Sequence, residues 1–495
     1  MPPIPAWREI IIHMPIDPAE LAAAIRVLEA ADELEPEHPD KIALQRATAR
    51  LYKTVKKQRR DTAKNAIRSA DNAVISATAT GAPTRIDDET QGLELLPVAT
   101  GHSAGRLIKS QACYVCKQQY HDVDVFYHQL CPGCAALNRS RRDARTDLTG
   151  KRALLTGGRA KIGMYIALRL LRDGAHTTIT TRFPNDAIRR FKAMEDSADW
   201  IHRLRIIGID LRDPAQVVAL ADDVASQGPL DILINNAAQT VRRSPGAYAP
   251  LAAAEDSELP SGYLPETISF GRSHDTHPAS LEGTVPAEST AVAHSSVTSA
   301  DLLTKLALTA GSASMERVAN ATAIDAGGLV PDLVSTNSWV QNVEDVDALE
   351  LLEVQLCNST APFILISRLR ESMRQAEADR TYIVNVSAME GQFSRGYKGP
   401  GHPHTNMAKA AVNMLTRTSA REMFETDQIL MTSVDTGWIT DERPHTTKVR
   451  LAEEGFHAPL DLVDGAARVY DPIVRGELGE DVFGCFLKDY EPSAW

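Results

Sequence analysis

The chain has 495 residues, of which 43% are hydrophobic and 24% charged, and a formal net charge of −12. That length excludes a disulfide-stapled mini-protein and leaves ample apolar material for a core. The acidic balance argues against a dedicated nucleic-acid binder, which usually carries a basic face.

Residues 1–80 read as a helical region. Leu21, Ile25 and Leu28 recur at helical spacing, and Leu44, Leu51, Val55 and Ala63 continue the pattern after Pro36 and Pro39. The basic run Lys53, Lys56, Lys57, Arg59 and Arg60 reads as a solvated helix face rather than a ligand site. Residues 81–106 hold Gly, Pro and Thr without a sustained period, which predicts a linker. No apolar run reaches the roughly 18 residues that a membrane helix needs, and the start has no basic segment followed by an apolar core. Neither a membrane span nor a secretory signal is expected.

Residues 107–146 carry the clearest local signal. Cys113, Cys116, Cys131 and Cys134 form two CxxC knuckles, CYVC and CPGC, separated by 14 residues. Two such knuckles bring four thiolates within tetrahedral reach of one Zn²⁺, and four cysteine ligands close the site, so a structural zinc-ribbon-like module is expected. A redox role for either CxxC is the alternative. His121 and His128, between the knuckles, read as packing or surface residues. A basic tail follows at 139–152, though the module more commonly mediates protein contacts than nucleic-acid contacts. Cysteines arranged for a metal rather than for disulfides fit a reducing, cytoplasmic compartment.

From about residue 147 strands alternate with helices: RALLT, HTTITTR, RIIGID and DILINNAA are strands with helical segments between them. This predicts an α/β fold with a doubly wound parallel sheet, a Rossmann domain over 147–495. The alternation pauses at 244–335, where Ala, Ser, Thr, Pro and Gly predict a mobile insertion, with LLTKLAL (302–308) as one short helix. It resumes with a helix at 345–374, a strand at 381–387, a helix around NMAKAAVNM and the strand ILMTSVD.

TGGRAKIG (Thr156 to Gly163) lies between a strand and a helix, where backbone N–H groups and a helix N-terminus can face a pyrophosphate. Together with DILINNAA, NVS and MAKAA in that order, it resembles the short-chain dehydrogenase/reductase family over residues 148–495. That family has TGxxxGxG, NNAG, a Ser and a YxxxK. The resemblance implies a nicotinamide cofactor held by Thr156, Gly157, Gly158, Arg159, Lys161, Ile162, Gly163, Arg182, Asp210, Leu211, Asn236, Ala237, Lys409 and Gly437. Lys161 replaces the middle glycine, and Ala238 the last residue of NNAG. The second strand ends in Thr180, Thr181 and Arg182, without the acidic residue that would hold the ribose 2′-OH of NAD. Arg159 and Arg182 suit a 2′-phosphate, so NADP is expected over NAD.

The resemblance also implies four catalytic positions. Asn358, Ser387 and Lys409 match three motifs, but the usual serine is Ala388 and the usual tyrosine is Thr405. An aliphatic hydroxyl is a far poorer acid than a phenol. Three explanations stay open. Tyr397, His402, His404 or Glu390 supplies the proton. The reaction needs no such acid, as when a conjugated alkene is reduced. Or the domain binds nucleotide without chemistry. The expected function is an NADP(H)-dependent oxidoreductase acting on a small, polar substrate with a non-standard proton donor. The alternative is a nucleotide-binding scaffold whose helices and zinc module hold a protein partner. The family also implies association of like chains through helices of the second half of the sheet.

Overall fold

The computed structural model describes residues 16–83, 85, 95–270, 299–309, 313–439 and 442–495. The chain divides into two units, Met1–Asp71 and Asn72–Trp495. In the first, α1 (Pro18–Ala30) starts where Asp17 accepts the Ala19 N–H at 2.6 Å, with proline at its first position. The long helix α2 (Pro39–Ser76) follows and runs to the head of the second unit. Leu21, Ile25, Leu28 and Leu51 all stay exposed.

The second unit opens with an antiparallel hairpin, β1 (Ser103–Ala112) and β2 (Gln119–Asp124), and the helix α3 (Pro132–Arg142). The stretch read as a linker therefore ends in a strand. Its residues 84 and 86–94 lie outside the described ones. Next come β3 (Arg152–Leu155), α4 (Lys161–Arg172), β4 (His176–Thr181), α5 (Pro184–Lys192), β5 (Leu204–Gly208), α6 (Pro214–Ser226) and β6 (Ile232–Asn235).

The stretch expected as a mobile insertion supplies structure of its own where it is described: α7 (Ala249–Glu255), β7 (Glu266–Ser269) and α8 (Ala300–Ala307). Leu251, Leu303, Ile324 and Val330 bury one another in a separate small core, which is why so plain a composition still folds. Strand β7 pairs in parallel with β5 and extends the sheet. Residues 271–298 and 310–312 lie outside the described ones.

The chain returns through α9 (Ala348–Gln355), a widened π-helical turn at Leu356–Thr360, α10 (Ala361–Arg374), β8 (Thr381–Ser387), α11 (Pro403–Asp427), β9 (Ile429–Asp435), α12 (His445–Glu453), α13 (Leu462–Glu477), β10 (Phe486–Lys488) and β11 (Glu491–Ser493). Among the described residues the large sheet has nine strands, in the order β11-β10-β9-β8-β6-β3-β4-β5-β7. All pair in parallel except the β10–β11 edge. Every residue of β6, β8 and β9 is buried, as in sheets covered on both faces.

Two hydrophobic clusters lie on opposite faces. One joins the sheet to α4 and α13 through Ile166, Leu170, Val469 and Ile473. The other joins it to α6 and α10 through Val217, Leu220, Leu365 and Leu369. The sheet is therefore doubly wound, with a Rossmann-like order. The helical stretch Ala348–Arg374 is long and apolar enough to cross a membrane by composition, but half of its most apolar window is buried inside this fold.

Candidate functional site

The strand order reverses between β3 and β6, and open parallel sheets bind ligands in the crevice outside the strand ends at such a point. Two glycines shape the turn there. Gly157 has φ +70°, and a Cβ on it would lie 2.9 Å from Ala237 Cα. At Gly163 a Cβ would lie 1.9 Å from the Gly157 carbonyl oxygen. Thr156 Oγ1 accepts the N–H groups of Asn236 and Ala237 at 3.0 Å each. Asn236 Nδ2 donates to the carbonyls of Thr156 and Gly157, at 3.0 and 3.1 Å. The turn is thus fixed to the end of β6. Helix α4 starts without a side-chain cap, and its N-terminus opens at the crevice, a position that suits an anion. Lys161, at its first position, keeps a left-handed φ of +54°. Its Nζ lies 3.9 Å from Glu442 Oε1, and Arg243 reaches Glu442 Oε2 at 3.1 Å.

At the other end of the crevice, Lys409 Nζ donates to the Val386 carbonyl at 2.8 Å, beside Ser387 at the end of β8. Burial pushes the Lys409 ammonium down to about 8, against the opposing charges of Cys357, Glu390 and Asp435. Thr405 lies four residues before Lys409 on α11, on the same helix face. The neighbouring His404 is buried. Its Nε2 lies 3.5 Å from Thr405 Oγ1, and burial lowers its pKa. Ser387 Oγ is a buried polar atom with no hydrogen-bond partner among the described residues, while the His404 ring meets the Thr240 backbone. Asn358 sits in the π-helical turn, with Oδ1 accepting the Gln239 N–H at 2.7 Å and Nδ2 donating to the Gln239 carbonyl at 2.8 Å. Asp435, ending β9, is raised by burial to about 6 and accepts the Gly437 N–H at 2.9 Å.

Residues 151–255 match the short chain dehydrogenase family. An uncharacterised protein of Acanthamoeba polyphaga mimivirus, R665, is 30% identical over 376 residues, covering 73% of this chain and 71% of that protein. A probable oxidoreductase of Streptomyces antibioticus is 40% identical over 91 residues, 18% of this chain. The chain spans only 30% of that relative's length. A ketoacyl reductase of a Nostoc strain, HetN, is 30% identical over 152 residues, 28% of this chain and 50% of that protein. A solved short-chain dehydrogenase of Burkholderia cenocepacia in complex with NADP shares 19% identity at a TM-score of 0.42, covering 69% of this chain and 97% of that one. Over residues 151–255 the chain belongs to the short-chain dehydrogenase family.

Within this family member the expected residues occupy unequal positions. Gly157, Gly163, Asn236 and Ala237 line the crevice, while Gly158 donates its N–H to the Thr180 carbonyl at 3.2 Å. Ile162 packs against the clusters around Ile439 and Ile166. Arg159 is tied to the buried Asp186 and donates to the Gly327 carbonyl at 2.8 Å. Arg182 is exposed, its guanidinium 4.9 Å over the Tyr248 ring. Asp210 receives Arg212 at 2.6 Å, and Leu211 is buried in the sheet core. Tyr397 is 77% exposed on the loop before α11, outside the buried group around Lys409. His402 is held by Trp339, which it stacks on at 4.0 Å and whose carbonyl its Nδ1 meets at 2.8 Å. Spacing alone could not find Glu442, Arg243 or Asp186, because each reaches the site from a distant segment. His404 was visible as a neighbour of Thr405, but not its burial.

The cysteine module fits a metal. The sulfurs of Cys113, Cys116, Cys131 and Cys134 all lie within 4.8 Å of one another, and Cys116 and Cys131 within 3.7 Å. Tetrahedral zinc with Zn–S of about 2.3 Å needs sulfurs about 3.8 Å apart. Around them Leu107, Tyr120, Tyr127 and Leu130 form a cluster shared with Ile439, Leu460 and Leu462 of the Asn72–Trp495 unit.

Proposed function

We propose that the chain is an NADP(H)-linked oxidoreductase acting on a small polar substrate, with His404 as proton donor and acceptor in place of the family's tyrosine. The observation that carries this reading is the group around Lys409. A buried ammonium bonds the Val386 carbonyl next to Ser387, whose Oγ is buried without a partner among the described residues. The buried His404 ring sits against Thr405, one turn before Lys409, and the Thr240 backbone. Buried polar groups without partners are uncommon and point to ligands.

The NADP(H) nicotinamide, when bound, exchanges the hydride. Lys409 lies where the family's lysine holds the nicotinamide ribose, and its charge lowers the cost of an anion forming nearby. Ser387 Oγ has a proton to orient a substrate oxygen. Burial lowers the His404 pKa, so the neutral imidazole is the form that takes a proton from the substrate oxygen, and the protonated ring returns it in the reverse direction. Thr405 Oγ1, at its Nε2, orients the ring. Arg182 carries the preference for NADP over NAD, since Arg159 is already bound to Asp186. We propose further that the four thiols hold a structural Zn²⁺ and that the protein works in the reducing cytoplasm.

A second reading keeps the nucleotide and drops the chemistry. It is favoured by one observation, the unpartnered apolar side chains of the first unit, with Leu21 and Ile25 each 47% exposed and Leu51 65%. Such surfaces mark protein contacts. A screen of carbonyl and conjugated-alkene substrates with NADPH separates the readings. Turnover that needs His404 supports the enzyme. Nucleotide binding without turnover of any substrate, with a partner captured on residues 16–71, supports the scaffold.

A further inference from the structure

We propose that Tyr114, inside the first cysteine knuckle, is a positioning residue for the dinucleotide site. Through it the metal state of the cysteine module sets the conformation of the segment after β9. The inference rests on the cofactor reading above only for its ligand. The coupling itself is read from this chain's own contacts.

The segment leaves β9 through Asp435, Thr436 and Gly437, at the crevice side of the sheet. Gly437 has φ +80°, and a Cβ there would lie 2.5 Å from Leu460 Cδ1 and 3.3 Å from Arg468 Nε. The turn is therefore pressed onto the far end of the same segment. The next N–H, that of Trp438, donates to Tyr114 Oη at 2.9 Å. Tyr114 lies between Cys113 and Cys116, so its backbone is set by the knuckle. The Cys113 N–H donates to the Gln118 carbonyl at 2.9 Å and the Tyr114 N–H to the Gln129 carbonyl at 2.8 Å, closing the first knuckle against the second.

The other end of the segment is held as well, first by Arg85, upstream of the module, which donates to the carbonyls of Ala458 at 2.7 Å and Leu460 at 2.5 Å. Gln129 Nε2 donates to the His457 carbonyl at 3.2 Å. Arg142, on the helix that starts beside Cys131, reaches Asp461 at 2.6 and 2.9 Å, and Tyr127 donates to Asp464 at 2.6 Å. Ile439, Leu460 and Leu462 share one apolar cluster with Cys113, Tyr120 and Leu130. Thus Trp438 and Ile439 at one end, and residues 457–462 at the other, both rest on the module. The turn at Gly437 leaves the same strand end as Asp435; residues 440–441 lie outside the described ones.

Four thiols released from a metal lose the bonds that hold two knuckles together. Tyr114 then moves with its knuckle, and the Trp438 N–H loses its acceptor. A half-buried N–H that loses its acceptor turns to water or another partner. The turn at Gly437 changes shape, and the crevice loses its preformed wall. Because linkage is reciprocal, a bound dinucleotide must also tighten retention of the metal.

The test uses the full chain, zinc-loaded and after removal of zinc by a chelator, as wild type and as Tyr114→Phe. Metal removal is expected to weaken NADPH binding to the wild type about tenfold, within the usual span of coupled sites. It should also speed amide exchange at Trp438 and through 442–462. In Tyr114→Phe with zinc bound, zinc content should be unchanged and NADPH weakened about fivefold, the scale of one lost hydrogen bond to a buried group. In that variant, removing zinc should weaken binding further by a clearly smaller factor than in the wild type. A tyrosine that merely supports the fold would shift both metal states alike and leave the factor unchanged, which overturns the proposal. So does zinc-free wild type that binds NADPH as the loaded protein does, with exchange at 438–462 unaltered. Failure of the cofactor reading is seen separately: NADPH then binds no form, while exchange at Trp438 still reports the coupling.

Discussion

The two ends of the crevice depart from the family pattern in different ways. At the phosphate end, the backbone shape is kept although a residue has changed: Lys161 holds the left-handed conformation, φ +54°, where the family has glycine. Such a conformation costs a lysine on the order of 1 kcal/mol or more. At the catalytic end, the helix keeps Thr405 and Lys409 one turn apart, but the phenol is gone and the buried imidazole of His404 stands beside the vacated role. The first end shows a fold defending a shape against its own sequence. The second shows a fixed shape accepting different chemistry. A strained lysine persists only where something offsets its cost: its ion pair with Glu442 contributes, and the proposed dinucleotide phosphate would add to it.

The catalytic end can be broken hardest. Lys409→Ala is expected to abolish turnover, a loss on the order of 10³-fold or more, with the fold intact by circular dichroism. His404→Asn should cost on the order of 10²- to 10³-fold in kcat, the range of a lost general acid, while Tyr397→Phe stays near wild type. Equal activity of the two variants would remove His404 from the mechanism.

The pH profile sharpens the same end. The Lys409 ammonium is held down at about 8, so it loses its proton as pH rises through that value, and turnover should fall on the same limb. Lys409→Arg, charged throughout, should shift that limb upward wherever it retains activity. A profile flat from pH 7 to pH 10 would contradict a role for the ammonium.

The phosphate end gives smaller effects. Arg182→Ala should weaken NADPH about tenfold and leave NADH nearly unchanged, the signature of a lost contact to the 2′-phosphate. Lys161→Gly should relieve the strained turn and raise stability by about 1 kcal/mol, while weakening NADPH a few-fold. If the affinity does not drop, Lys161 is a structural residue only.

The parallel sheet was legible because buried strands such as DILIN and YIVNV are short apolar runs between helix-period segments. The glycine turn was legible because Gly157 and Gly163 have no substitute at their close approaches. The cysteine cluster followed from spacing alone. Strand β7 was not legible, since ETIS carries neither a long apolar run nor a turn signal. Nor was the pairing of Arg159 with Asp186, which turns an arginine that suited a 2′-phosphate into a support for α5. Composition and spacing report local chemistry, whereas such ion pairs depend on which distant segments the fold brings together. For the same reason the hold of the cysteine module on residues 438–462 could be read only from the structure.

The most direct test is a calorimetric titration of the zinc-loaded chain with NADPH and with NADH. The account predicts saturable binding of NADPH, tighter than that of NADH. Binding of neither would contradict it, for the glycine turn would then hold its shape without holding a dinucleotide.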